Sequence, residues 1–121
     1  YLKKSGVMKN LQLVVHDQSI IDDEMYKGYL EPFLDDGIFK ALGRMARHWE
    51  GDLPKEKLQK IHTPCLLIWG KHDRVVPVSV GEKLHRDLPN SKLIVLKETG
   101  HLVPEEKPEE VFRHIQNFLQ N

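Results

Sequence analysis

The sequence predicts an α/β fold built on parallel strands, and three features carry that expectation. Residues Cys65 to Trp69 form an unbroken apolar run between Pro64 and Gly70. Such a run suits a strand covered on both faces, as parallel strands are, because a half-exposed antiparallel strand alternates. A second short apolar run lies within Ser91 to Leu96. Between the two, Val80, Leu84 and Leu88 recur at helical spacing, and Pro89-Asn90 stops the helix. Strand, helix, strand predicts a right-handed crossover that leaves both strand ends on one rim of a parallel sheet.

The remaining elements follow in order. Tyr1 to Asp17 opens with Lys3, Lys4 and Lys9 and continues through Leu11, Leu13, Val14 and Val15 with neither helical nor strand periodicity, so no element is predicted there. Ser19 to Leu34 predicts a helix: Asp22 or Asp23 can cap it, Glu24 adds negative charge to its first turn, and Met25, Tyr29 and Phe33 share a face. Pro32 ends or kinks that helix. Asp35-Asp36-Gly37 marks a second start, and Ile38, Phe39, Leu42, Met45, Ala46 and Trp49 have amphipathic spacing up to a stop near Trp49 to Gly51. The apolar and aromatic side chains of this region are expected to pack. Asp52-Leu53-Pro54 with Glu56 predicts a short surface helix over Lys55 to Ile61. After the strand-helix-strand unit, Glu105, Glu106, Glu109 and Glu110 read as a solvated helix start beside Pro104 and Pro108. Val111, Phe112, Ile115, Phe118 and Leu119 then make an apolar stripe, predicting a last helix laid on the sheet.

Composition narrows the function classes. A chain of 121 residues has the length of one domain. Its 18 Lys and Arg balance 18 Asp and Glu, so charge gives no case for nucleic acid or an anionic membrane as partner. No apolar run approaches the roughly 20 residues of a membrane span, and no secretory signal pattern opens the chain, so the expectation is a soluble, cytoplasmic protein. Tyr1 in place of methionine suggests a processed or truncated chain. Cys65 is the lone cysteine and is expected to pack within its strand. His16, His48, His62, His72, His85 and His114 lack metal-ligand spacing, so neither a metal nor another cofactor is expected.

The candidate site lies after the strands. Open parallel sheets bind ligands outside the carboxyl ends of their strands. Asp73 follows the first strand and His101 follows the second, so the crossover brings together residues that are 101 − 73 = 28 positions apart. Asp73 equally suits a turn cap, through its own side chain. An acid that orients an imidazole is two thirds of a nucleophile-activating triad. Val75 or Val76 beside the acid can touch a ligand or anchor the loop, and His72 is expected on the loop surface, turned away.

The strand Pro64 to Gly70, the Gly70-x-x-Asp73-x-x-x-Pro77 turn and the Gly100-His101 turn resemble the final strands of the α/β-hydrolase family. The resemblance covers Ile61 to Leu119 well and the first sixty residues loosely. It implies that Asp73 is the triad acid and His101 the general base, in the chain order nucleophile, acid, histidine. It further implies that residues 1–50 are a helical cap or lid segment, with some apolar side chains lining a pocket, and that residues 51–121 are the C-terminal part of the hydrolase core. Complete enzymes of this kind carry a G-x-S-x-G elbow and an oxyanion loop ahead of the cap. Ser5, Ser19, Ser79 and Ser91 have no such setting.

The expectation is therefore the C-terminal part of a serine-type hydrolase, inactive by itself, whose parent cleaves an ester, amide or C–C bond of a small-molecule substrate. An aspartate nucleophile would point instead to carbon–halogen cleavage. A non-enzymatic binding or assembly module with a hydrolase-like half-fold is the alternative. The first strand would expose an apolar edge, which predicts a homodimer or swapped assembly of the chain alone.

Overall fold

A computed structural model describes residues 2–35 and 37–120. Its helices are α1 (Leu2–Val14), α2 (Asp23–Leu30), α3 (Gly37–Arg47), α4 (Lys55–Leu58), α5 (Val78–Asp87), α6 (Val103–Glu106) and α7 (Pro108–Leu119). Strands β1 (Cys65–Gly70) and β2 (Ser91–Leu96) flank α5 and pair in parallel, with Cys65 opposite Ser91 and Gly70 opposite Leu96. The predicted strand-helix-strand unit is thus present, and both carboxyl ends reach the same rim.

Buried apolar residues gather in two clusters. Leu96, Val103 and Val111 pack with Ile68 and Ile94 under the sheet. Val7, Leu11 and Leu30 pack with Met25, Tyr29 and Phe33 from the helical first part, and Leu102 joins them from the loop after β2. Leu102 is therefore an apolar link between the two halves.

Helix α1 was not predicted, and the reason is visible in its packing. Val7, Leu11 and Val15 recur at every fourth position and are buried, but Leu13 and Val14 crowd the same stretch and blur the period, with Leu13 turned to solvent. Helix α2 starts as expected, with the Asp22 Oδ1 accepting from the Met25 N–H at 2.8 Å. It gives way at Pro32 to a tighter 3-10 turn over Glu31–Leu34. Asp35 Oδ1 accepts the Gly37 N–H at 2.7 Å ahead of α3; Asp36, part of the expected start, lies outside the described residues. Helix α4 is shorter than the expected Lys55 to Ile61, and Pro54 precedes it as the capping residue. The stretch after His101 holds the separate turn α6 before α7.

Burial departs from expectation in three places. The residues of β1 before Gly70, Cys65 included, are half-buried where full cover was expected. Trp49, just past α3, is 70% exposed, and Leu42 and Met45 also face solvent. On α7 only Val111 of the predicted stripe is fully buried, while Phe112, Ile115 and Leu119 are exposed. A two-stranded sheet has too little area to hide so many apolar stripes. Among the described residues no helix is long and apolar enough to cross a membrane.

Candidate functional site

The site forms where the loops after β1 and β2 meet. The ladder continues past the strands: the Lys71 N–H donates to the Leu96 carbonyl and the His72 N–H to the Thr99 carbonyl, both at 2.9 Å. The approach is so close that a Cβ on Gly70 would lie 1.9 Å from the Gly100 carbonyl oxygen. Only a residue without a side chain fits there. Glu98, with φ 48°, makes the left-handed turn that sends the chain back.

Asp73 closes its own loop and also meets His101. Its Oδ1 accepts the N–H groups of Val75 and Val76, each at 2.8 Å, closing the loop as a turn cap. Its Oδ2 lies 2.8 Å from His101 Nδ1. The Asp73 side chain is 5% exposed and that of His101 35%, so the acid is buried behind an imidazole whose face reaches solvent. Burial, the strongest single influence, raises the Asp73 carboxyl. The hydrogen bond from His101, the two amide N–H groups and the nearby imidazole charge together outweigh it, and hold the carboxyl below its ordinary value. Trp69 steadies the loop from below, its indole Nε1–H donating to the Val76 carbonyl at 2.9 Å.

A pocket of about 190 Å³ opens beside the pair, lined by Ile68, Trp69, Val76 and Val103 together with Asp73 and His101. Val76 faces it; Val75 is exposed and does not line it. A larger concavity, about 710 Å³, lies along α2 and the turn after it and includes neither Asp73 nor His101. Tyr29 borders that groove. Burial first, then the charge and hydrogen bond of Glu105 at 3.2 Å, push its phenol up. Both concavities thus hold a pair of titratable groups, but only the smaller one lies at the carboxyl ends of the parallel strands, where open sheets bind ligands.

Several residues near the pair escaped the sequence. Glu106, expected to be a solvated acid, is half-buried and accepts the Gly100 N–H at 2.9 and 3.0 Å on its two oxygens, and the His16 N–H at 2.8 Å. The His101 N–H donates to the Val14 carbonyl at 2.6 Å. Arg74, next to the acid, donates to the carbonyls of Gln12 and Val15, each at 3.2 Å. His72 is exposed but not solitary: its ring stacks on that of His16 with centroids 4.3 Å apart. Glu106, His101, Arg74 and His72 each reach residues 12–16, at or just past the end of α1, across long sequence separations that no local spacing could signal.

Among the described residues no serine hydroxyl is hydrogen-bonded to His101. Ser91 Oγ lies 2.8 Å from His85 Nδ1, but at the amino end of β2, where the hydroxyl also bonds the carbonyls of His85 and Leu88. That pair closes the end of α5. Among the described residues no three His, Cys, Asp or Glu side chains are grouped to hold a metal ion.

Comparison with known proteins agrees with this architecture. The chain is 58% identical over 120 residues to the uncharacterized hydrolase YugF of Bacillus subtilis, covering 99% of this chain and 44% of that protein. It is 30% identical to the 2-hydroxy-6-oxononadienedioate/2-hydroxy-6-oxononatrienedioate hydrolase 2 of Pseudomonas putida, covering 96% of this chain and 42% of that protein. The chain thus spans less than half the length of these curated relatives. Among solved structures, a serine hydrolase involved in carbazole degradation superposes with TM-score 0.86 at 24% identity, over 97% of this chain and 47% of that one. At that identity the likeness is one of fold. The family model described as the alpha/beta hydrolase fold matches residues 11–108. With two parallel strands that match a C-terminal portion of that fold, the chain belongs to the alpha/beta hydrolase family.

Proposed function

We propose that this chain is the C-terminal part of a longer serine-type hydrolase and supplies its acid and base, Asp73 and His101. The single observation behind this reading is the 2.8 Å contact between the buried Asp73 Oδ2 and His101 Nδ1 at the carboxyl rim of a parallel sheet. A carboxylate kept ionised by its loop fixes the imidazole with its proton on Nδ1, leaving Nε2 free to accept. Nε2 takes the proton of the nucleophile as it attacks the substrate carbonyl, then gives it to the leaving group. In the second half Nε2 deprotonates a water that releases the acyl group. The nucleophile and oxyanion donors would come from residues outside these 121. The chain alone is therefore inactive.

The substrate class is a small molecule with an ester, amide or C–C bond beside a carbonyl. The name of the Pseudomonas putida relative supports a small-molecule acid of that kind. Residues 1–50 would serve as the cap. A pocket of about 160 Å³ between Val7, Leu11, Phe33 and Leu102 offers an apolar wall next to the base. The test is fluorophosphonate labelling and hydrolysis of an activated ester by the complete protein. His101→Ala should lower turnover by roughly four orders of magnitude. Unchanged turnover would remove His101 from the mechanism.

Alone, the chain would self-associate through the edge of β1 that β2 leaves unpaired. Sedimentation should show a dimer or a swapped assembly, and a monomer at all concentrations would contradict this.

A further inference from the structure

We propose that Glu106 is a positioning residue for the His101 imidazole, acting through the backbone that carries it. The amide immediately before the histidine, Gly100 N–H, lies within 3.0 Å of both oxygens of the Glu106 carboxylate. The same carboxylate accepts the His16 N–H at 2.8 Å, and the His101 N–H itself donates to the Val14 carbonyl. Two consecutive amides leading into the imidazole, those of Gly100 and His101, are thus tied to the chain at the end of α1 and just past it, the first through Glu106. The fit leaves no slack: a Cβ on Gly100 would lie 2.5 Å from the Val14 oxygen, 2.8 Å from the His16 nitrogen and 2.9 Å from Glu106 Oε1.

A charged acceptor is suited to this task. A carboxylate offers enough lone pairs for two amide donors at once, and hydrogen bonds to an ionised acceptor are shorter and stronger than neutral ones. A single neutral amide oxygen would have to share itself between two donors, with its NH2 group facing an N–H. The ring of His101 meets Asp73 at one end only, so its direction depends on where its Cα is held. Releasing the Gly100 amide lets the loop shift. A displacement of about 1 Å at a base costs about a hundredfold in rate.

The kinetic part of this inference rests on the function proposed above; the geometric part does not. The experiment therefore uses two readouts on the complete protein. One is the downfield Nδ1–H proton resonance of His101, assigned by its disappearance in His101→Gln. The other is hydrolysis of p-nitrophenyl butyrate. Glu106→Ala should broaden or move the resonance and lower kcat about a hundredfold with KM little changed. Glu106→Gln should recover part of both, and Glu109→Ala, an exposed acid in the first turn of α7, should change neither. If Glu106→Ala fails to fold, the resonance in Glu106→Gln decides. An unmoved resonance in a folded Glu106 variant overturns the proposal, as does a kcat loss that follows only the fraction of protein unfolded. Absence of esterase activity in the unmodified protein would count against the proposed function and leave the resonance to decide the role of Glu106.

Discussion

The part of the chain from β1 to α7 and the part from α1 to α3 are held together by different means. The later part is a strand-helix-strand unit with a strand register of its own and a cluster under the sheet. The earlier part has no sheet, exposes Leu42, Met45 and Trp49, and meets the later part through Leu102 and a set of polar contacts. Most of those contacts fall on Arg74, His101 and Glu106, at or near Asp73 and His101, while the bond of Tyr29 to Glu105 stands apart in the larger groove. The lesson is that the seam between the two parts runs past the candidate site. Contacts that dock the helices also hold the backbone beside Asp73 and His101.

The sharpest way to break the comparison is to wedge the seam open. Gly100→Ala inserts a methyl group among three backbone or carboxylate atoms, and overpacking of that kind costs about 3 kcal/mol. Hydrogen exchange should then rise across α1 and α2 while the amides of β1 and β2 stay protected. Uniform loss of protection in both parts would show a single cooperative unit instead. A milder change confined to the earlier part is Asp22→Ala, which removes the cap of α2 and should lower stability by about 1 kcal/mol. Exchange should rise in α2 with turnover unaffected, and a matching rise in β2 would refute the separation.

The gentlest perturbation adds only protons. Because the folded Asp73 carboxyl lies below its ordinary value of about 3.9, its contribution to stability is complete above that value. It is lost as pH falls through the lower folded one. The urea midpoint should decline below pH of about 4, and more steeply in the unmodified protein than in Asp73→Asn. Asp17, lowered chiefly by its hydrogen bond from Ser19, contributes to both proteins and cancels from the difference. Equal slopes would show that the Asp73 contact adds nothing to folding.

The same division explains what the sequence disclosed. Strands β1 and β2 and helix α5 were legible because each depends on local periodicity and a nearby stop, and the handedness of the crossover brings residues 73 and 101 to one rim. The Asp22 start of α2 was legible from its capping chemistry. Helix α1 was obscured because its buried positions compete with Leu13 and Val14. Glu106 was misread for a different reason. Its partner His16 is 90 positions away, and a helix-start glutamate in solvent looks identical in sequence to one that binds the amides of His16 and Gly100. The exposure of the α7 stripe also lay beyond periodicity, which predicts a face without saying whether anything covers it.

The chain has two tryptophans, and each belongs to one of its halves. Trp49 is 70% exposed, whereas Trp69 is half-buried and bonded to the carbonyl of Val76. Their fluorescence should accordingly differ in colour and in access to iodide: a red, readily quenched signal for the helical half, and a bluer, shielded one for the loop that holds the acid. The molecule carries its own pair of optical gauges, able to time the two halves separately without an added dye.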